Sequence, residues 1–200
     1  MAFTIDESFL PATLNAPPMT DAQFAEFCAE HPDLSFEMTA EGELIVMAPT
    51  FSLTAARNSQ ITSQLTVWAQ KDSRGIVFDS SGGFVLPSSA RRSADASWVE
   101  KSKIQQLSKE SRDGFFHLCP EFVIELKSNS DRLRTLRAKM HEWIANGAQL
   151  AWLINPDTQT VEIYRSNGEV ETRNGCTSIA AESPVDGFVL DLAPVWNPLS

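Results

Sequence analysis

Cysteine is scarce. Cys28, Cys119 and Cys176 are odd in number, far apart, and without Cys-x-x-Cys spacing or a histidine at metal-ligand distance. No disulfide or zinc chemistry is assigned to them, and reduced, mostly buried thiols are expected. Histidine is equally sparse, and His31, His117 and His141 show neither triad nor zinc spacing. No window of 18 apolar residues exists to cross a membrane, and the start, Met1 to Glu7, lacks the basic and apolar regions of a secretory signal. A cytoplasmic protein without a membrane partner is expected. Basic residues are the minority, 16 against 26 acidic, for a net charge of −10. Taken globally, that opposes general nucleic-acid binding, which needs clustered Lys and Arg. What is present, 42% hydrophobic and 21% charged residues in 200, rules out a largely disordered, fibrous or coiled-coil chain. The length suits one compact domain.

The charge is uneven. From Arg91 to Lys139 there are 11 basic and 7 acidic residues, a local +4, which leaves −14 for the remainder. A basic middle is set in an acidic shell.

Residues 1–20 contain Pro11, Pro17 and Pro18 with no sustained period and read as an extended N-terminal arm. Residues 21–200 read as a single domain. Thr20 to Gln23 is a capping sequence for a short helix that Pro32 stops. Two strands, 34–39 and 43–47, flank Ala40-Glu41-Gly42 as a hairpin. Ile61, Leu65 and Trp68 put an amphipathic helix over 52–71, ended by Gly75. Strands follow at 76–79, 84–86 and 94–99, then a polar helical connection over 101–113. The strongest strand is Glu121 to Lys127. A helix over 131–146 carries Leu133, Leu136, Met140, Trp143 and Ile144 and closes at Gly147. Strands at 150–154, 160–165 and near Val189 complete an α/β domain with a mixed β-sheet flanked by helices. The five tryptophans sit in periodic segments and read as core. Ser80-Ser81-Gly82-Gly83 lacks the lysine of a phosphate loop and reads as a turn.

Alternation along Glu121 to Lys127 places Glu125 and Lys127 on one face and Phe122, Ile124 and Leu126 on the other. A carboxylate and an ammonium side by side can hold a divalent ion and stabilise a phosphate or an attacking water. Alone, Glu-x-Lys is a weak motif, as readily the solvated face of a strand. Asp95 opens another strand and offers the second carboxylate that Mg²⁺ commonly uses.

Asp95 followed by Glu125-Leu126-Lys127 behind an apolar run resembles the PD-(D/E)XK nuclease superfamily. More closely, the chain resembles the Uma family, described as "putative restriction endonucleases". The matching pieces are Phe36-Glu37-Met38 with Gly42 to Thr50, Phe78 to Phe84, Arg92 to Val99, Pro120 to Ser128, Asp131-Arg132-Leu133, Lys139-Met140, Gly147 with Trp152 to Pro156, and Val161 to Arg165. Their order and spacing carry the resemblance over most of the chain.

The resemblance implies a restriction-endonuclease-like core, with Asp95 and Glu125 as Mg²⁺ (or Mn²⁺) ligands and Lys127 as catalytic lysine. Ala94 stands where the superfamily's proline would be, and Leu53 where close relatives often carry a glutamate. Glu37 is the substitute candidate for a third acidic residue. Arg132 and Lys139, seven apart on a shared azimuth, are expected to track a DNA backbone, as are Arg91 and Arg92. The expected function is Mg²⁺-dependent DNA endonuclease, with a homodimer supplying two sites for two strands. A non-catalytic DNA-binding or protein-interaction scaffold and a branched-DNA resolvase stay open as alternatives.

Overall fold

A computed structural model describes residues 10–47 and 50–199, apart from the side chain of Glu110. The described residues form two six-stranded sheets and one two-stranded hairpin, joined by six helices. Strand β1 (Ala12–Asn15), helix α1 (Asp21–Glu30), β2 (Ser35–Met38) and β3 (Glu43–Met47) come first. Helix α2 (Ser52–Asp72) leads to β4 (Gly75–Asp79), β5 (Gly83–Val85), β6 (Arg91–Ser93) and β7 (Ala96–Glu100). Short helices α3 (Lys101–Gln105) and α4 (Lys109–Arg112) and strand β8 (Phe116–His117) precede β9 (Phe122–Leu126). Helix α5 (Leu133–Ala145) connects β9 to β10 (Leu150–Asn155). The chain ends with β11 (Thr160–Arg165), β12 (Val170–Asn174), β13 (Ser178–Ala180), β14 (Val189–Asp191) and α6 (Ala193–Trp196).

The first sheet runs β1-β3-β2-β6-β5-β8 and the second β12-β11-β10-β9-β7-β4. The architecture is therefore mixed α/β as expected, but with two sheets where a single mixed sheet was predicted. Residues 94 and 95 are the crossing point, because β6 belongs to the first sheet and β7 to the second.

The centre of the second sheet is buried on both faces, which is why β9 and β10 read as nearly continuous apolar runs. On one face, Phe122, Ile124, Trp98 and Trp152 pack with Ile61 and Leu65 of α2 and with Phe188 and Leu190 beside the β13–β14 hairpin. On the other, Val123, Leu153 and Tyr164 pack with Leu136, Met140 and Trp143 of α5. A third cluster, Phe24, Phe36, Met38, Leu44 and Val46, joins α1 to the first sheet.

Thr20 caps α1 through a reciprocal pair with Gln23, as the sequence predicts. Helix α2 stops differently. Ser73 takes the left-handed turn at φ 61°, and Gly75 opens β4 instead of ending the helix. Its role is close approach, since a Cβ there would lie 2.0 Å from Trp98 Cε2. Part of the predicted arm is also paired: Ala12–Asn15 runs antiparallel to β3, while residues 1–9 of that arm lie outside the described residues. Among the described residues, no helix is long and apolar enough to cross a membrane.

Candidate active site between the sheets

The register of β7 against β9 pairs Ala96 with Ile124. Continued by one residue, it sets Asp95 opposite Glu125, and cross-strand partners share a face. Asp95 completes the ladder with its side chain, Oδ2 accepting the Leu126 N–H at 2.7 Å. Its Oδ1 accepts from Asn58 Nδ2 of α2 at 2.8 Å. Glu125 is only 3% exposed, so it does not lie on a solvated strand face. Its Oε1 accepts from Trp143 Nε1 at 2.8 Å and lies 2.9 Å from Lys139 Nζ. Asp95, Glu125, Lys139, Glu37, Ser128 and Asp131 share the wall of one cleft of about 370 Å³.

Lys139 is the cation that reaches Glu125. Its Nζ also donates to Glu37 Oε1 at 2.8 Å and to the Ser93 carbonyl at 2.8 Å. Glu37 Oε2 accepts from Arg92 Nη1 at 3.0 Å, and Arg92 Nε donates to Glu142 Oε2 at 2.7 Å. A buried chain of ion pairs thus ties β2, β6, β9 and α5 together.

The electrostatics follow from that wiring. Burial pushes the Glu125 carboxyl up to about 7, with Asp95 and Glu37 adding to the push and Lys139 opposing it. Burial likewise raises Asp95 against the Leu126 N–H, Lys139 and Asn58. For Glu37 burial again works upward, but Lys139 and Arg92 outweigh it and hold the carboxyl below its ordinary range. Lys139 remains protonated, because its two carboxylate partners overcome its burial.

Several residues lie elsewhere than the sequence suggests. Lys127 is not brought to the carboxylates: just past β9 its Nζ donates to Asp157 Oδ2 at 2.8 Å and to the Ser128 carbonyl at 3.0 Å. Lys139, expected on the solvent side of α5, has only 15% of its side chain exposed and faces Glu37 and Glu125. Arg91 is held by Asp21 Oδ1 at 2.7 Å and the Met19 carbonyl at 2.9 Å, and Arg92 by Glu37 and Glu142, so both line the cleft with their charges already paired. Arg132, the residue before α5, is exposed. Glu37 joins the cluster as the counter-ion of two cations.

Two site residues are new. Asn58 interrupts the buried stripe Thr54, Ile61, Leu65 of α2, and a polar residue at those spacings was the available signal. Trp143 stands four residues after Lys139, on the sheet-facing side of α5.

Whether these residues fit a divalent ion turns on the donor set. Among the described residues, no group of three or more His, Cys, Asp or Glu side chains is placed to hold a metal ion. Buried Glu125 and half-buried Asp95, both carboxyls raised above the ordinary range, do line the cleft. That suits an ion bound by one or two carboxylates that completes its shell with water and substrate oxygens.

The family model described as "Uma2: Putative restriction endonuclease" matches residues 21–193. The chain belongs to the Uma2 family. A crystal structure from Anabaena variabilis, described as a putative nuclease belonging to DUF820, superposes with a TM-score of 0.72 at 20% identity. The match covers 90% of this chain and 98% of that one, and at this identity shows a shared fold. No curated protein matches the chain significantly.

Proposed function

We propose that this Uma2 protein is a metal-dependent endodeoxyribonuclease hydrolysing DNA phosphodiesters. The observation that carries the reading is the convergence of Asp95, Glu125 and Lys139 on one cleft from three separate elements. Asp95 and Glu125 would hold Mg²⁺ or Mn²⁺, which when bound polarises the phosphate and makes a water acidic enough to attack. Asn58 and the Leu126 N–H fix Asp95, while Trp143 and Lys139 fix Glu125. In the hydrolysis a water oxygen bonds to phosphorus as the bond to the leaving sugar oxygen breaks. The water gives up a proton and the departing oxygen takes one. Lys139 supplies the positive charge for the phosphate oxygens, the role the sequence motif assigns to Lys127. Glu37 holds Lys139 and is not itself a ligand. A homodimer would bring two such clefts to the two strands of a duplex, so the proposed working unit is a homodimer, acting in the cytoplasm.

A non-catalytic scaffold is the second reading, favoured by one observation: Arg91, Arg92, Lys127 and Lys139 are all engaged in ion pairs. Linear, supercoiled and branched DNA incubated with Mg²⁺ or Mn²⁺ separate the two. Cleavage by wild type that is lost in Asp95→Ala supports the enzyme and shows which DNA form it takes. Equal nicking by both proteins, or none by either, overturns it.

A further inference from the structure

Glu125 is gripped by a single oxygen. Trp143 Nε1 and Lys139 Nζ, one helical turn apart on α5, both reach Oε1, at 2.8 and 2.9 Å. Among the described residues no hydrogen bond is made to Oε2. The last torsion of a glutamate is broad and roughly two-fold, so a free carboxylate would exchange its oxygens readily. An indole fully buried between α5 and the sheet cannot follow such a rotation.

Burial alone does not account for this bond. Trp98 is just as buried, and its indole N–H has no partner among the described residues. The fold therefore tolerates an unbonded indole, yet it directs Trp143 onto a buried carboxylate, the partner whose desolvation is most costly.

We propose that Trp143 is a positioning residue: its N–H keeps Oε1 of Glu125 turned toward α5 and presents Oε2 to the cleft for the divalent ion. The proposal rests on the nuclease reading for the ligand role of Glu125, and it predicts that occupancy of the cleft is felt at the indole. Hydrogen bonds behind a ligating carboxylate are typically worth about 10- to 100-fold in metal affinity.

The test uses the full chain with ¹⁵N-labelled indoles, Mg²⁺ titration followed by NMR and calorimetry, and the variant Trp143→Phe, whose missing signal identifies the Trp143 indole. A second variant carries benzothienylalanine at position 143, which keeps the shape of tryptophan without the N–H. The expected result is a Trp143 indole signal that shifts with Mg²⁺, and Mg²⁺ affinity weakened about tenfold or more in both variants. If Trp143→Phe does not fold, the isostere decides. Unchanged affinity in the isostere, or an indole signal insensitive to Mg²⁺, overturns the positioning role while leaving the metal site standing. Failure of wild type to bind either Mg²⁺ or Mn²⁺ overturns both.

Discussion

The ammonium of Lys139 stands 2.9 Å from Glu125 Oε1, so the lysine of the cleft comes from α5 and not from the strand that bears the glutamate. Lys139→Met should therefore lower the DNA cutting rate by about 10²- to 10³-fold, the order lost when one group stabilising a developing charge is removed. Lys127→Met should leave cutting nearly unchanged, since its partner Asp157 is 55% exposed. Single-turnover nicking with each variant checks this, and the reverse order of effects would return the role to Lys127.

This difference marks where sequence reading stops. Strand β9 is legible because five consecutive positions are buried on both faces, which demands an apolar run. Asp95 and Glu125 follow from spacing within the family pattern, and the β7–β9 register, continued by one residue, sets them opposite one another. Lys139 shares an azimuth with exposed Arg132, yet it also stands three residues after Leu136 and four before Trp143, both buried. Only the depth of α5 against the sheet decides which neighbours govern. Strands β1 and β8, of four and two residues, exist through partners distant in sequence, and β6, of three, joins nearby β5 to distant β2, so all are too short for a local period to announce them.

The burial that prepares the carboxylates for an ion should also make the ion-free protein sensitive to pH. The Glu125 carboxyl is raised to about 7 in the fold, above the roughly 4.3 of an unfolded chain. Its contribution is then fully present below about pH 4 and lost as pH rises through about 7, on the order of 3 kcal/mol. Asp95 shifts in the same direction. At about pH 8, Glu125→Gln should unfold several degrees higher than wild type, and Mg²⁺ should raise only the wild-type Tm. Thermal melts across pH in chelator and in Mg²⁺ measure both, and a variant that melts lower at alkaline pH would contradict the assignment.

Arg92 and Arg132, both expected from sequence to meet DNA, should part company experimentally. Arg92 is buried against Glu37 and Glu142, so Arg92→Met should cost about 3–5 kcal/mol in urea unfolding, as removal of one partner from a buried pair does. Arg132 is exposed. Arg132→Gln should change stability by less than about 0.5 kcal/mol while reducing the salt dependence of DNA binding by roughly one phosphate contact. A stable Arg92→Met protein with weakened DNA affinity would restore the original expectation for that residue.

Gly75 tests the packing that holds β7, and with it Asp95, in place. A Cβ at Gly75 would fall 2.0 Å from Trp98 Cε2, and Trp98 is wedged against Trp68 beneath the Arg74 guanidinium. The indole has little room to retreat, so Gly75→Ala should destabilise by about 1–3 kcal/mol, the range for overpacked cores. Gly114 has open space where its Cβ would go, which makes Gly114→Ala the matched control, with a change below about 0.5 kcal/mol. Because β7 pairs with β9 directly after Asp95, Gly75→Ala should also weaken Mg²⁺ binding. Calorimetry on the two variants separates a rigid scaffold from one that absorbs the added methyl: equal Mg²⁺ affinity and equal Tm would mean that β7 yields without disturbing Asp95.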